Sequence, residues 1–474
     1  MRRLLTVIVL ASVLVPVGGL SYPLRADDRP NIVVIMTDDQ RWDALQTMPT
    51  VKAQLRDRGV TYSNAFVPNA LCCPSRSSTL TGLHSHTTGV WGLTMPNGGF
   101  GAFHDGITIA TKLHDEGYRT MLVGKYLNAY PEGHYSYVPP GWDRWFSITS
   151  GAYYGYRAAD NGAMSPLYGS DPDDYSGRVL TDEAIGYLAE VPDDQPFFLY
   201  YAPAAPHNAI NAAYATPDPL DVDALKGTLA PYRPPSYGTT DPITDMPPYV
   251  QAGGWSPGSV DTFRRRQLES LMGVDREIGQ LLAALPQNTM VIFTSDNGYL
   301  WGEHTWHRKE VPYEEAIRVP LIIRWDGHLP AGVTRPRFAL NIDLAPTIAV
   351  AAGIDPLSQP LGLDRNGIPR LAEGLNLFGS ALHREFVLEH YDNYRAVPPY
   401  CGIRTKAGYM YARYWDGRAT APSNGFEELY DVTADPFELH NLAGNAASQA
   451  KLAALRAKAI SRCDPAPPGY VWAP

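Results

Sequence analysis

Cysteine is scarce in this chain. Its 474 residues hold four, and two of those are neighbours, Cys72 and Cys73, in the stretch LCCPSRSSTLTG (71–82). So few cysteines exclude a small scaffold stapled by many disulfides. A surplus of positive charge is missing as well: 39 Lys and Arg stand against 49 Asp and Glu, a net charge of −10. That balance argues against a general nucleic-acid binder or an anionic-membrane binder, which needs a clustered positive field. It leaves room for a small anionic substrate in a locally basic pocket. Internal repeats and blocks of like charge are absent, and beyond the N-terminus no apolar run approaches the length needed to span a bilayer. Glycine and proline, 42 of each, stay below low-complexity levels but predict many ordered loops.

The N-terminus has the one long apolar run. MRRLLTVIVLASVLVPVGGL places Arg2 and Arg3 ahead of an apolar stretch over 4–17, with Gly18, Gly19, Ser21 and Ala26 following. This pattern predicts a secretory signal peptide over 1–26, with an uncleaved anchor as the alternative. The mature protein is then expected outside the cytoplasm, without stable membrane insertion. An oxidising compartment permits disulfides. Cys72 and Cys73 bridge each other only with strain. Among the pairings that four cysteines allow, we expect Cys401–Cys463, a link worth about 4 kcal/mol in the chain-entropy model.

With 45% hydrophobic and 11% aromatic residues, the chain can bury a large core. NIVVIMT (31–37), TMLVGKY (120–126), FFLYYAP (197–203), MVIFTSDN (290–297) and VPLIIRW (319–325) are near-continuous apolar runs. Such runs read as strands covered on both faces. Between them TFRRRQLESLMGVDREIGQLLAAL (262–285) carries one apolar face at helical spacing, and 108–117 and 181–190 resemble shorter helices. Alternating strands and helices predict an α/β domain with a large mixed, mostly parallel sheet sandwiched by helices, over 30–380. After the Pro- and Gly-rich 353–369, hairpin-like strands at 385–391, 400–415 and 427–432 and a closing helix at 446–460 predict a smaller C-terminal α+β unit, 381–474. The proline- and aromatic-rich 208–260 is a candidate substrate-shaping insertion, or equally a surface loop without that role.

In open α/β sheets, ligands bind beyond the carboxyl ends of the strands. The first strand ends in TDDQ, bearing Asp38 and Asp39, and another in SDNG, bearing Asp296 and Asn297. Asp and Asn also begin turns and cap helices. Occurring together at the ends of two strongly apolar strands, these oxygen donors suit a hard divalent cation. Lys125 ends a third strand, His207 follows a fourth, and GEHTWHRKEVPYEE supplies His304, His307 and Lys309. Together these groups could balance a dianionic group beside a metal.

CCPSRSSTLTG fits the C-x-P-S-R-x-x-x-L-T-G signature of the sulfatase family, with Cys72 as its first residue. TDD, GKY, APH and TSDNG follow in the family's order, and KEVPYEEAIRVPLIIR and ELYDVTADPFELHNLA resemble its usual continuation. The resemblance runs from about Pro30 to Leu442. NALCCPSR, GKYLN and YVPPGWDRW look most like the N-acetylglucosamine-6-sulfatase branch. It implies an alkaline phosphatase-like fold and conversion of Cys72 to Cα-formylglycine by a separate formylglycine-generating enzyme. A hydrated aldehyde offers two hydroxyls on one carbon: one attacks sulfur and releases the alcohol, and the other loses its proton to expel sulfate. A metal, calcium by resemblance with magnesium as the alternative, would be held by Asp38, Asp39, Cys72 in its converted form, Asp296 and Asn297. Arg76 would reach back toward the aldehyde hydrate, Lys125 and Lys309 would neutralise sulfate oxygens, and His207 would act as general acid. His304 is a further substrate-binding candidate.

One departure from the family stands out. Many sulfatases carry histidine two residues after the GK lysine; this chain has Leu127. The base that expels sulfate is therefore open among His134, His304 and His307. Cys73 occupies the variable position of the signature and is expected as a small buried filler. His84 and His86 give no familiar zinc spacing with the cysteine pair. The expected function is a secreted sulfatase acting on a sulfated sugar or aryl sulfate. A phosphodiesterase or phosphonate monoester hydrolase of the same superfamily is one alternative, and a non-catalytic glycan-binding relative another.

Overall fold

The computed structural model describes residues 29–238, 246–251, 256–391, 397–415 and 425–472. The expected signal peptide, 1–26, lies outside the described residues, as do 239–245 and 252–255 of the candidate insertion. None of the helices among the described residues is long and apolar enough to cross a membrane.

Strand Asn31–Thr37 lies at the centre of a ten-stranded sheet. On one side Phe197–Ala202, Arg119–Lys125 and Arg144–Ile148 follow, each parallel to its neighbour. On the other side Thr289–Ser295 is also parallel, pairing from Asn31↔Thr289 to Thr37↔Ser295. Leu321–Arg324 then runs antiparallel to both of its partners, Thr289–Ser295 and Val60–Phe66. Val333–Leu340 closes that edge parallel to Val60–Phe66, and its register shifts between Arg335 and Phe338, where Pro336 falls. Proline is tolerated there because an edge strand leaves an N–H side unpaired.

Side chains alternate faces along a strand, and the apolar runs feed two cores. Ile32, Val34 and Met36 enter one core, shared with Cys73, Leu80, Ile109, Leu113 and Ile348 from covering helices. Val33 and Ile35 enter the other, with Leu180, Leu268, Leu271, Ile278 and Leu281. Helices Cys72–Thr81, Ile109–Asp115 and Leu344–Ala351 thus cover one face, and Ser176–Ala189 and Pro257–Ala283 the other. The sheet is sandwiched, as continuous apolar strands require.

A separate antiparallel sheet of four strands, Glu385–His390, Tyr400–Thr405, Tyr409–Tyr414 and Glu427–Asp431, follows near the C-terminus. Helix Gln449–Arg462 packs Leu452, Leu455 and Ala459 on Ile403, Tyr411 and Leu429. A disulfide joins Cys401, on the second strand, to Cys463 just after that helix. Tyr313 donates to Glu428 at 2.7 Å and Arg404 to Glu314 at 2.8 Å, so buried polar contacts tie this unit to the larger one.

Candidate active site

Asn31–Thr37, Arg119–Lys125, Phe197–Ala202 and Thr289–Ser295 are mutually parallel neighbours, so their carboxyl ends open on one edge. Asp38 and Asp39, Lys125, and Asp296 and Asn297 sit at or just past those ends. The fifth contributor is helix Cys72–Thr81, whose first residue is Cys72; every residue of this helix is buried. Its Ser and Thr hydroxyls make that possible by bonding back along the helix. Ser77 Oγ donates to Pro74 O at 2.8 Å, Thr79 Oγ1 to Ser75 O at 3.0 Å and Thr81 Oγ1 to Ser77 O at 2.8 Å. Pro74 falls in the first turn, where its missing N–H costs nothing. Gly82 ends the helix at φ 72°, a left-handed cap that favours glycine. Cys72 thereby faces the site from a helix N-terminus, which stabilises negative charge.

The side chains form a closed set of ion pairs. Arg76 Nε donates to Asp296 Oδ2 at 2.8 Å and Arg76 Nη1 to Lys125 O at 3.0 Å. Lys125 Nζ donates to Asp38 Oδ2 at 2.7 Å and stands 3.8 Å from Asp296 Oδ2. Lys309 Nζ contacts Asp39 Oδ1 and lies 2.6 Å from Cys72 Sγ. Cys72 Sγ is 3.5 Å from Asp38 Oδ1 and 3.9 Å from Asp39 Oδ1. In a converted protein, the oxygens borne by the same carbon would stand where this sulfur does. Asp39 N donates to Asp296 Oδ1 at 3.0 Å, and Asn297 Nδ2 to Asp39 Oδ1 at 2.7 Å. His207 Nδ1 is 2.8 Å from the Asn208 carbonyl, which leaves Nε2 facing Asp39 Oδ2 at 3.7 Å.

Two features fit a cation. Ligand atoms of Asp38, Asp39, Cys72 and Asp296 all lie within 4.8 Å of one another. Asn297 Oδ1 is buried with no hydrogen-bond partner, a carbonyl oxygen whose desolvation an ion would offset. The electrostatics agree. Burial pushes Asp38 upward, but Lys125, His207, Arg76 and Lys309 outweigh it and hold this carboxylate well below its usual range. Asp296 goes the other way, raised by burial and by Asp38. Burial also pushes the Cys72 thiol far up, despite Lys125 and Lys309.

Asp38, Asp39, Cys72, Arg76, Lys125, His207, Asp296, Asn297 and Lys309 therefore converge. His304 does not join them. Its ring is fully buried, stacked on Tyr313 at 4.2 Å, and clustered with Glu315 and Glu438. Burial depresses its pKa to about 3, so the ring carries no charge to offer an anion. His134 packs against Phe100 at 5.2 Å, and Leu127 is buried in the main core. Cys73 also belongs to that core. His84 and His86 pair with Glu373 and Glu389, away from the cysteines.

Around Cys72 opens a cavity of about 380 Å3, whose walls include Asn128, Ser150, His207, Phe263, Tyr299 and Arg308. Ser150 Oγ donates to Asp38 Oδ2 at 2.9 Å and was not foreseen from the sequence. SITSGAYYG carries no motif to mark it. Arg308 had a usable signal in its position directly before Lys309.

An alkaline phosphatase-like sheet with a cysteine, a carboxylate cluster and three cations at its strand ends defines a class of hydrolases that handle tetrahedral oxyanion esters. The sulfatase family model matches residues 30–354, and the model for the N-sulphoglucosamine sulphohydrolase C-terminal region matches 302–463. The chain belongs to the sulfatase family, a family of sulfuric ester hydrolases. It is 29% identical over 470 residues to the N-acetylglucosamine-6-sulfatase of Capra hircus, covering 90% of this chain and 82% of that one. It is 32% identical over 346 residues to a Sulf-1 homolog of Caenorhabditis elegans, 69% of this chain but only 47% of that relative's length. A solved structure in complex with its substrate D-glucosamine-2-N,6-O-disulfate shares the fold, with a TM-score of 0.73, 23% identity, and coverage of 92% of this chain and 98% of that one.

Proposed function

We propose that this chain hydrolyses sulfate monoesters on a sugar outside the cytoplasm, using a Cα-formylglycine formed from Cys72 by a formylglycine-generating enzyme. The observation that carries the proposal is Cys72 at a buried helix N-terminus, 3.5 Å from Asp38 and 2.6 Å from Lys309, at the focus of the ion-paired strand ends. The likeness to N-acetylglucosamine-6-sulfatases supports a hexosamine 6-sulfate, and an equal 29% identity to an arylsulfatase of Volvox carteri keeps an aryl sulfate as the second candidate.

Asp38, Asp39, Asp296 and Asn297 would hold a divalent cation, calcium by family resemblance, which supplies Lewis-acid polarisation of a sulfate oxygen and a lowered pKa at the attacking hydroxyl. The aldehyde hydrate supplies that hydroxyl and a second one able to eject sulfate. Lys125 and Lys309 stay charged because burial, which lowers their pKa values, is outweighed by Asp38 for the first and Asp39 for the second. They neutralise charge that builds on the equatorial oxygens. Arg76, clamped to Asp296 and to the Lys125 carbonyl, orients both strand ends. His207 uses Nε2 to protonate the departing sugar oxygen, while the Asn208 carbonyl fixes the ring through Nδ1.

The test joins mass spectrometry of the Cys72 peptide from natively produced protein with a desulfation screen. Sulfated monosaccharides, heparan and chondroitin fragments and an aryl sulfate are assayed beside matching phosphate esters. Formylglycine at position 72 and release of sulfate from a hexosamine 6-sulfate are the expected results. Intact thiol in fully active protein, or a strong preference for phosphate, overturns the proposal.

A further inference from the structure

We infer that Arg308 receives a second anionic group of the substrate, so that the site selects sulfate esters carrying another sulfate or a carboxylate near the scissile one. This rests on the sulfatase reading above and adds the class of ester.

The argument begins with pairing. Each cation buried at the strand ends has a carboxylate partner: Arg76 with Asp296, Lys125 with Asp38, Lys309 with Asp39. Their work is internal to the site. Arg308 lines the same cavity beside Lys309, yet among the described residues its guanidinium has neither a carboxylate nor a hydrogen-bond partner. It is exposed at the cavity wall, in a protein with a net charge of −10.

Its backbone is held in place. His307 and Arg308 pair with Trp301 and Leu300 in a short antiparallel ladder. Arg308 adopts φ 121°, a region that side-chain-bearing residues rarely occupy. The chain tolerates that conformation at the residue preceding the one that contacts Cys72. Asn128, on the same cavity wall, keeps a buried Oδ1 without a partner, an acceptor for a sugar hydroxyl or N–H. Phe263 and Tyr299 stack at 4.8 Å and give the cavity a flat apolar wall suited to a pyranose face.

A planar guanidinium matches sulfate and carboxylate oxygens through two parallel N–H donors, which an ammonium does not reproduce. A substrate with one sulfate leaves Arg308 solvated. One with a further anion at hand gains a charge-assisted contact that the reacting centre does not use, so the gain falls on KM rather than kcat.

Three substrates test this on the formylglycine-bearing enzyme: glucosamine 6-O-sulfate, glucosamine 2-N,6-O-disulfate, and a 6-O-sulfated hexosamine linked to a uronate. Wild type, Arg308→Ala and Arg308→Lys are compared for kcat/KM, together with calorimetric binding of glucosamine 2-N-sulfate, which needs no turnover. Wild type is expected to prefer the substrates with a second anion by about tenfold. Arg308→Ala should erase most of that preference through KM and weaken glucosamine 2-N-sulfate binding, with Arg308→Lys between. The disulfated and uronate arms separate sulfate from carboxylate as the recognised group. An unchanged preference ratio and unchanged binding in Arg308→Ala, with sulfate still released, overturn the role of Arg308 alone. Phosphate release without sulfate release overturns the underlying reading instead.

Discussion

Cys72 is buried, and burial raises its thiol pKa even with Lys309 2.6 Å away. As an unmodified residue it is a poor source of thiolate at neutral pH, which fits a cysteine that matters as a precursor. Replacing it with alanine removes only a small side chain. Cys72→Ala is therefore expected to lower turnover about a thousandfold or more while the melting temperature moves by only a few degrees, read by sulfate release and calorimetry. Asp296 accepts from Arg76 Nε and from Asp39 N, so an alanine there would strand a buried guanidinium. Asp296→Asn keeps the shape and removes the charge. The variant should lose turnover, and the rise in melting temperature that calcium produces in wild type should vanish. A calcium-dependent rise of equal size in both proteins would remove Asp296 from the metal site.

The helix that presents Cys72 is buried without being apolar, and its stability depends on internal hydroxyl–carbonyl bonds and on its caps. Gly82 caps it at φ 72°, and a Cβ there would sit 2.9 Å from Ala372 Cβ. Gly82→Ala is expected to cost about 1–2 kcal/mol in denaturant unfolding and to lower activity in step, because the helix that Gly82 terminates is the one that presents Cys72. Sequence patterning found the apolar central strands, whose continuous Val, Ile and Phe runs have no other economical reading. It passed over Val60–Phe66 and Val333–Leu340, since the first mixes polar with apolar residues and the second contains a proline and is half exposed. Val333–Leu340 is an edge strand with one neighbour, and Val60–Phe66 lies next to it with a partly exposed face, so little of either pattern is forced.

Across the whole molecule, the C-terminal unit is held by the Cys401–Cys463 disulfide and by buried polar contacts with the larger domain. Replacing both cysteines by alanine is expected to cost about 4 kcal/mol for a 62-residue separation, measured by chemical denaturation. Glu428 accepts from Tyr313 at 2.7 Å and Tyr430 at 2.9 Å, and also from Tyr414. Burial nevertheless raises its pKa from 4.5 to about 7, against the lowering effect of those hydroxyls. Between those two values the folded protein keeps a proton that the unfolded chain has released. The contribution of Glu428 to stability is thus full below pH 4.5 and falls as pH rises to about 7, by up to about 1.4 kcal/mol per unit, and is flat above. Glu428→Gln should stabilise the protein relative to wild type at pH 8 more than at pH 5; equal effects at both would mean Glu428 titrates normally.

The sequence by itself determined the family, the strand ends and the place of Cys72 at the head of the signature. These rest on residues joined by one element or one motif, where spacing along the chain is spacing in space. Only the tertiary structure decided that Lys309 reaches Cys72 across 237 positions, that Ser150 supports Asp38, and that Arg308 stands unpaired on the cavity wall. It also decided that His304, a residue as promising as Lys309 in the same GEHTWHRKE segment, turns inward against Tyr313. Loop paths are set by what they pack against, and a linear sequence does not state that neighbour.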